Sequence, residues 1–200
     1  MKLYLGFAGS KRAEEIRAKY NCYWEFSPDN VGRREGVPYF LDNGAFSAWK
    51  NQRPFPEKKF LSLMRRYPKY DFIVVPDIVA GGVESLKFSL GWLDRIMRPR
   101  YLAVQDGMLI NDIVYYLEEF DGVFVGGTLP WKMETARSWA DTAHLHGLKC
   151  HVGRIGTWEG LLTMHHYGVD SIDTTSPTRN RDETHLRIYY EQLRGCEMIR

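Results

Sequence analysis

Three aspartates end or directly follow short apolar runs, where a charged side chain is costly to place. They are Asp42 (in the sequence LDNGAF), Asp77 (VVPDI) and Asp173 (SIDTT). Ionised carboxylates gathered in a poorly hydrated place repel one another, so such a cluster indicates chemistry more often than packing. A cap on the following helix or turn is the simple alternative for any one of them. Two carboxylates beside a sugar suit glycosidic bond chemistry, in which one attacks the anomeric carbon and the other handles protons.

Uncharged groups at the ends of other apolar runs extend this chemistry. Gln105 ends one run, and Gly126 and Gly127 end the next. An Asp and a Gln can bind the edge of a purine, because the carboxylate accepts from N1–H and the exocyclic amine while the amide faces O6. Paired glycines let the backbone approach a flat ligand, although a tight turn also uses glycine. Phe46 offers a ring for base stacking, or else a core side chain. These residues support the hypothesis of N-glycosidic chemistry on a purine-like base.

The elements that position these residues repeat along the chain. Runs rich in β-branched and aromatic residues predict strands at 3–7, 22–26, 39–42, 72–76, 101–105, 123–126, 150–152 and 171–173. Apolar residues three and four apart predict helices at 11–20, 57–66, 83–97, 111–120, 132–146, 158–167 and 182–193. The strands are apolar on both faces, as in a parallel sheet covered by helices. This alternation predicts an α/β fold, a closed (β/α)8 TIM barrel.

The chain length allows a compact barrel and little else. With 200 residues, we expect a single TIM-barrel domain over 1–200, close to the smallest that the fold permits. Prolines and glycines in residues 27–38 predict that no helix lies between the second and third strands. An open doubly wound sheet is the alternative, but residues 6–10 (GFAGS) lack its usual Gly-x-Gly-x-x-Gly spacing. In a barrel, the carboxyl ends of all strands meet at one rim, where active sites lie.

Composition excludes several other classes of protein. Lys and Arg number 27 and Asp and Glu 25, so the net charge of +2 is not that of a polybasic protein. Apolar residues at 44% exclude disorder as the main state. The sequence contains no apolar run that could cross a bilayer, and charges after the first nine residues argue against a signal peptide. Three cysteines without a C-x-x-C pair predict a reducing, cytoplasmic location and no zinc or other metal site.

Five short segments occur in the same order as the motifs of a known family. They are DNGAF at 42–46, VPD at 75–77, VQDG at 104–107, VGG at 125–127, and GVDSID at 168–173 followed by SPTR at 176–179. They resemble the D-S-G-G-[YF], base-recognising Asp, V-Q-G-G, V-G-G and G-[VI]-D-x-[FI]-D…P-T-R segments of the tRNA-guanine transglycosylase family, the queuine tRNA-ribosyltransferases. That family includes a branch that places 7-deazaguanines in DNA. The resemblance extends over roughly residues 3–187.

The resemblance implies a role for each matching residue. Asp173 would be the nucleophile that attacks C1′ of a guanosine nucleotide, and Asp42 the general acid and base. The base would be held by the side chains and backbone of Asp77, Gln105, Gly126 and Gly127, with Phe46 stacked on it. The partners implied are a nucleic acid and a free 7-deazaguanine base, and the reaction needs no redox cofactor or catalytic metal.

The chain also departs from the family pattern. Ile78 and Val79 follow Asp77 in place of the usual Glu-Cys, and the Cys-rich zinc segment near the C-terminus is missing from a short chain. We therefore expect no zinc subdomain. Because that segment helps to hold tRNA in the family, its absence favours DNA weakly over tRNA. The residue on the second face of the base is either Val152 or Gly153.

Three arginines are candidates for binding the phosphates of a nucleic acid. Arg179 and Arg181 follow the eighth predicted strand and Arg154 follows the seventh, where barrels often bind phosphate. The small net charge predicts modest, salt-sensitive binding. Two alternatives stay open: an N-glycoside hydrolase that uses water as acceptor on a nucleoside or modified base, and a nucleic-acid-binding barrel without catalysis.

Overall fold

Eight parallel strands close into a barrel in the computed structural model, which describes residues 1–32 and 36–197. The strands are β1 (Lys2–Gly6), β2 (Tyr23–Phe26), β3 (Tyr39–Leu41), β4 (Ile73–Val74), β5 (Arg100–Val104), β6 (Gly122–Val125), β7 (Lys149–Val152) and β8 (Ser171–Thr174). They follow one another around the barrel in chain order, and β8 pairs with β1 to close it. The structure therefore confirms the predicted α/β class and the (β/α)8 barrel.

Helices surround this barrel on the outside. They are α1 (Lys11–Lys19), α2 (Ala45–Lys50), α3 (Glu57–Arg66), α4 (Gly82–Leu90), α5 (Ile110–Ile113), α6 (Leu129–Leu145), α7 (Trp158–His166), α8 (Ser176–Asn180) and α9 (Thr184–Glu197). Residues 27–32 and 36–38 contain no helix, as predicted for the connection between β2 and β3, and residues 33–35 lie outside the described part of the chain. In that connection, residues 27 and 30 form an isolated antiparallel bridge.

The structure differs from the sequence prediction at several helices. Two short ones, α2 and α8, were not predicted, because helices of six and five residues are too short to show apolar periodicity. The predicted helix at 83–97 is α4 followed by a 3₁₀ turn, Leu93–Arg95, and Gly91 ends α4. The predicted helix at 111–120 is likewise the single turn of α5 followed by a 3₁₀ helix, Val114–Glu119.

Aromatic side chains fill the interior of the barrel. Tyr4, Phe40, Phe72 and Tyr101 pack together there, and we call these four residues the aromatic layer. Phe72 lies at their centre, with its ring stacked on Tyr101 at 4.0 Å and on Phe40 at 4.7 Å between centroids. Alternate strand residues face the helices instead and form the larger outer core. The aromatic layer thus closes the barrel below its carboxyl-terminal rim.

Strand register decides which polar side chains share the interior with this layer. Tyr4 of β1 is paired with Asp173 of β8, and Gly6 is paired with Glu25 of β2. Because register partners in neighbouring strands face the same side, Asp173 and Glu25 point into the barrel. Glu25 is two residues nearer the carboxyl rim than Tyr23, whose ring packs on the aromatic layer.

Two further findings concern the chain as a whole. Within the described ranges, no helix has the length and apolar character that crossing a membrane requires. Cys22 and Cys150 are buried free thiols, and the side chain of Cys196 lies outside what the structure describes.

We predict that Phe72→Ala destabilises the protein by about 3–5 kcal/mol, because it empties the centre of a packed aromatic layer. Urea unfolding followed by circular dichroism measures the change. Tyr115→Ala serves as the control, since Tyr115 is 84% exposed and its truncation leaves stability nearly unchanged. A loss below about 1 kcal/mol for Phe72→Ala, which is the cost of a small deletion in a core, would show that the aromatic layer does not support the barrel.

Candidate active site

All three sequence-predicted aspartates lie at the carboxyl-terminal rim of the barrel. Asp173 belongs to β8, Asp42 directly follows β3, and Asp77 follows β4. The pKa of Asp42 is raised to about 6, chiefly by burial and also by the negative charges of Asp173 and Asp77, while the hydrogen bond from the N–H of Gly44 lowers it. Such mutual effects require the carboxyl groups to lie near one another. We call this cluster of inward-facing rim residues the mouth; it also contains Glu25 and Arg154.

Two amide side chains fix the carboxylate of Asp77. Asn43 donates from Nδ2 to Oδ1 of Asp77 at 2.8 Å, and Gln105 donates from Nε2 to Oδ2 at 3.1 Å. The pKa of Asp77 is raised to about 6, because the effect of burial outweighs these hydrogen bonds and the charge of Arg154, which lower the pKa. Each oxygen of Asp77 keeps a further lone pair, so the carboxylate remains able to accept two parallel N–H bonds from a ligand.

Gln105 acts through Asp77 rather than by facing the mouth itself. Its Nε2 also donates to the carbonyl of Ile78 at 2.7 Å and to Oγ of Ser85 at 3.0 Å, and its Oε1 accepts from the N–H of Ala80 at 2.5 Å. These bonds use the whole amide, and the residue is only 3% exposed. Gln105 therefore ties the loop after β4 to the end of β5 and orients Asp77.

Asp173 is held by donors from β7 and the loop after it. Nε2 of His151 lies 3.0 Å from Oδ1 of Asp173, and the backbone N–H of Arg154 donates to Oδ2 at 3.0 Å. Burial lowers the pKa of His151, which favours the neutral ring, and Nδ1 lies 2.8 Å from Oγ of Ser171. Because a carboxylate only accepts, Nε2 carries the proton and Nδ1 accepts from the serine hydroxyl.

The hydrogen-bonded chain Ser171–His151–Asp173 has the same order of residue types as a hydrolase triad, but its serine is not accessible to a substrate. Ser171 begins β8, at the opposite end of the strand from the mouth, and is 5% exposed. His151 is fully buried among the rings of the aromatic layer and Phe124. A substrate therefore cannot reach the Ser171 hydroxyl, and this chain of hydrogen bonds serves to orient Asp173.

Glu25 is a fourth carboxyl group of the mouth, and the sequence analysis missed it. Burial raises its pKa well above the ordinary range, and the charges of Asp173 and Asp42 add to this rise while Arg154 opposes it. Burial and these charges thus favour the protonated form of Glu25. Its Oε2 is buried and has no hydrogen-bond partner among the described residues. The period-two pattern of YWEF, with Glu between two apolar positions, could have indicated an inward-facing acid.

Arg154 and Phe46 lie against each other across the mouth. The guanidinium Cζ lies 3.4 Å from the centroid of the Phe46 ring, and a guanidinium nitrogen donates to the carbonyl of Gly127 at 3.3 Å. Phe46 is half-buried on α2, and its ring is not part of the described hydrophobic core. Of the two readings from the sequence, the structure therefore favours a ring that lines the mouth.

The two rim glycines have structural reasons of their own. The N–H of Gly126 donates to the carbonyl of Val104 in the sheet, so it does not offer this donor to a ligand. Gly127 has a φ of 73°, and a Cβ there would lie 2.3 Å from Oδ2 of Asp106. Asp106 in turn accepts from the N–H of Thr128 and so fixes the start of α6.

A buried lysine supports the loop that carries Arg154. Lys132 of α6 is 2% exposed and donates from Nζ to the carbonyl of Gly153 at 2.5 Å. Its pKa is lowered to about 8, chiefly by burial and also by the charge of Arg154. Gly153 lies inside the mouth, since a Cβ there would be 3.3 Å from Oδ1 of Asp173, whereas Val152 belongs to the outer core. Of the two candidates for the second face of a base, only Gly153 borders the mouth.

The remaining predicted site residues lie outside the mouth. Arg179 belongs to the last turn of α8 and Arg181 follows that helix; both are exposed and neither forms a described ion pair. A cavity of about 220 Å³ opens beside them, between the ends of β1 and β8, and Gly6, Thr175 and Arg179 are among its lining residues. The structure thus gathers Asp42, Asp77 and Asp173 and leaves these two arginines on the surface nearby.

Comparison with known proteins adds no family to this geometry. The chain matches none of the family models and none of the curated proteins with which it was compared. In the described part of the chain, no group of three His, Cys, Asp or Glu side chains has an arrangement that could hold a metal ion.

We predict that Asp42→Asn stabilises the protein by about 2–3 kcal/mol at pH 8 and by roughly half as much at pH 5. The carboxyl of Asp42 has a pKa of about 6 when folded and near 4 when unfolded, so the folded state binds the proton more tightly. The stability that this gives is present at low pH and is lost as the pH rises through about 6. Asparagine stays neutral and avoids that loss. Urea unfolding at the two pH values measures the difference.

The exposed Asp141 on α6 provides the matched control. Asp141→Asn should give the same small change at both pH values, because its charge is solvated. If the stability changes caused by Asp42→Asn at pH 5 and pH 8 differ by less than about 0.5 kcal/mol, the carboxylate of Asp42 is not destabilised by burial.

Proposed function

We propose that this protein is a base-exchange transglycosylase, a pentosyltransferase that replaces a guanine in a nucleic acid with a free 7-deazaguanine. The observation that carries the proposal is the convergence of Asp42, Asp77 and Asp173 on one barrel mouth. The convergence supports the proposal because a nucleophile, a proton carrier and a base-binding carboxylate would all have to meet around a single ligand. The order of the five segments that resemble the tRNA-guanine transglycosylase family supports the same assignment.

In the first half-reaction, a carboxylate oxygen of Asp173 attacks C1′ of the target guanosine and the bond from C1′ to N9 breaks. The bonding electrons pass to N9, and protonated Asp42 gives N9 its proton, so that guanine leaves neutral. The nucleic acid is then esterified to Asp173, and Asp42 is ionised. His151 and the N–H of Arg154 support this step by holding the Asp173 carboxylate in one orientation.

In the second half-reaction, 7-deazaguanine takes the place of guanine. The Asp42 carboxylate removes the proton from N9, N9 attacks C1′, and the ester to Asp173 breaks to restore its carboxylate. Two displacements at C1′ give retention of configuration. A pKa of about 6 suits Asp42 to both roles, since it can hold and release a proton near neutral pH.

Asp77 would select the base. Its two oxygens, held by Asn43 and Gln105, would accept from N1–H and the exocyclic amine of a guanine-like edge. The exposed Arg179 and Arg181 would bind phosphates of the polymer. A cytoplasmic location goes with this proposal, because the buried free thiols of Cys22 and Cys150 suit a reducing compartment.

Incubation with labelled guanine and either DNA or tRNA tests the proposal. Incorporation of label into a polymer supports the transferase, and the polymer that is labelled identifies the substrate. Release of free base without incorporation would indicate the hydrolase instead. If neither product forms, catalysis is overturned and the binding barrel without catalysis remains.

We predict that Asp173→Asn lowers exchange by at least about a thousandfold and abolishes any covalent adduct between protein and nucleic acid. Asparagine keeps the size and the hydrogen bond from the Arg154 N–H but is a poor nucleophile. Adducts stable in denaturing gels and initial exchange rates provide the measurements. Asp141→Asn is the control, and exchange by Asp173→Asn at the wild-type rate would remove this residue from the nucleophile role.

We predict that Asp77→Asn changes base selection more than it changes the covalent step. An asparagine loses one acceptor of the pair, so the preference for guanine over hypoxanthine, which lacks the exocyclic amine, should fall by about 10- to 100-fold. Competition between the two labelled bases in the exchange assay measures this preference. An unchanged preference would show that another group reads the amine.

A further inference from the structure

The guanidinium of Arg154 lies where the proposed function needs a nucleobase. Its Cζ is 3.4 Å from the centroid of Phe46, which is the separation of stacked planar groups. A base therefore cannot stack on this face of Phe46 while Arg154 lies there. Arg154 likewise cannot lie on this face of Phe46 while a base is stacked there, so the guanidinium and the base compete for one position.

The side chain of Arg154 is held there weakly. Its one described side-chain hydrogen bond is the 3.3 Å contact with the carbonyl of Gly127, although a guanidinium carries five N–H donors. The charge of Arg154 lowers the pKa values of Glu25, Asp42 and Asp77, yet none of the described ion pairs within 4.0 Å includes it. When the side chain leaves, it gives up one long hydrogen bond, the contact with Phe46 and its attraction to these carboxyl groups, but no described ion pair.

The backbone of Arg154 is fixed although its side chain is not. Its N–H donates to Asp173, and the preceding carbonyl of Gly153 accepts from buried Lys132. Its φ of 56° is the left-handed conformation, which the closed loop maintains. The side chain can thus move out of the mouth without disturbing the hydrogen bond that orients Asp173.

The guanidinium also has the chemistry of the group that it excludes. It is flat, it presents N–H donors around a central carbon, and it lies between an aromatic ring and carbonyl and carboxyl acceptors. The N1–C2–amine edge of a guanine has the same donors around one carbon. The protein's own side chain therefore marks the mouth as a subsite for a planar donor.

We propose that Arg154 occupies the nucleobase subsite in the ligand-free protein, and that a phosphate of the bound nucleic acid draws its side chain off Phe46 to open that subsite. This inference rests on the proposed function. A phosphate offers the guanidinium a bidentate, charge-assisted partner that the mouth does not provide. The nucleic acid consequently binds first and the free base second, because the base alone must displace Arg154 and binds with a correspondingly reduced affinity.

Affinity for a free base, without any reaction, tests this gate. The probe is 7-deazaguanine, and its dissociation constant is measured by calorimetry for the wild type and for Arg154→Ala. Arg154→Ala should bind the base about tenfold more tightly, since the competing group is gone. Arg154→Lys should fall between them, because an ammonium group is cationic but does not stack as a plane. Equal or weaker binding by Arg154→Ala would overturn the gate.

Arg187→Ala is the matched control for loss of an arginine. Arg187 lies on α9 and pairs with Glu191 at 3.0 Å, so it should leave the affinity for 7-deazaguanine unchanged. Thermal unfolding of each variant establishes that it is folded. If Arg154→Ala does not fold, the wild type alone decides the matter through the following measurement.

An abasic oligonucleotide supplies phosphates without a base and should open the subsite. Its addition should tighten binding of 7-deazaguanine to the wild type by about tenfold and leave Arg154→Ala unchanged. No effect on the wild type would overturn the role of phosphate. Tighter binding by Arg154→Ala without exchange on any polymer would uphold the gate and reject the transferase. If the wild type catalyses exchange but binds 7-deazaguanine as tightly as Arg154→Ala does, the transferase is upheld and the gate is rejected.

Discussion

Several carboxyl groups share one poorly hydrated barrel mouth, and the need to satisfy each of them determines the rest of the site. Asp77 receives two amide donors, Asp173 receives an imidazole and a backbone N–H, and Asp42 receives the N–H of Gly44. At Glu25, burial and the neighbouring charges of Asp173 and Asp42 raise the pKa well above the ordinary range instead. Hydrogen-bond donors and raised pKa values together accommodate the carboxyl groups of this mouth, and perturbed carboxyl groups of this kind are typical of functional sites.

The barrel separates stability from chemistry along its axis. Below the mouth, Phe40, Phe72 and Tyr101 stack into a layer without charged groups, and their burial supports the closed sheet. Above it, the strands end in polar residues whose loops are tied together by side-chain hydrogen bonds, as Gln105 ties β5 to the loop after β4. His151 joins the two levels, since its ring packs on the aromatic layer while its Nε2 reaches Asp173.

The cationic groups of the mouth differ in how firmly they are held. Lys132 is buried and bound to the carbonyl of Gly153, so its charge stays in place and stiffens the loop after β7. Arg154 has a fixed backbone and a loosely held guanidinium that stacks on Phe46. The structure thus holds the carboxylate of Asp173 in one orientation, while the guanidinium of Arg154 is the more weakly held of the two cationic groups.

The sequence by itself determined the barrel and the three aspartates, because apolar strands and residues at strand ends are local patterns that survive without coordinates. Asp42, Asp77 and Asp173 were found in this way, and so was the lack of a helix in residues 27–32 and 36–38, the described part of the connection between β2 and β3. The tertiary structure decided which groups surround the three aspartates. Glu25 faces inward because of strand register, and the amide of Gln105 bonds to Asp77 and to the loop after β4. These facts depend on contacts between residues far apart in the chain, and a side chain's direction, partner and charge state are set by such contacts rather than by its neighbours in sequence.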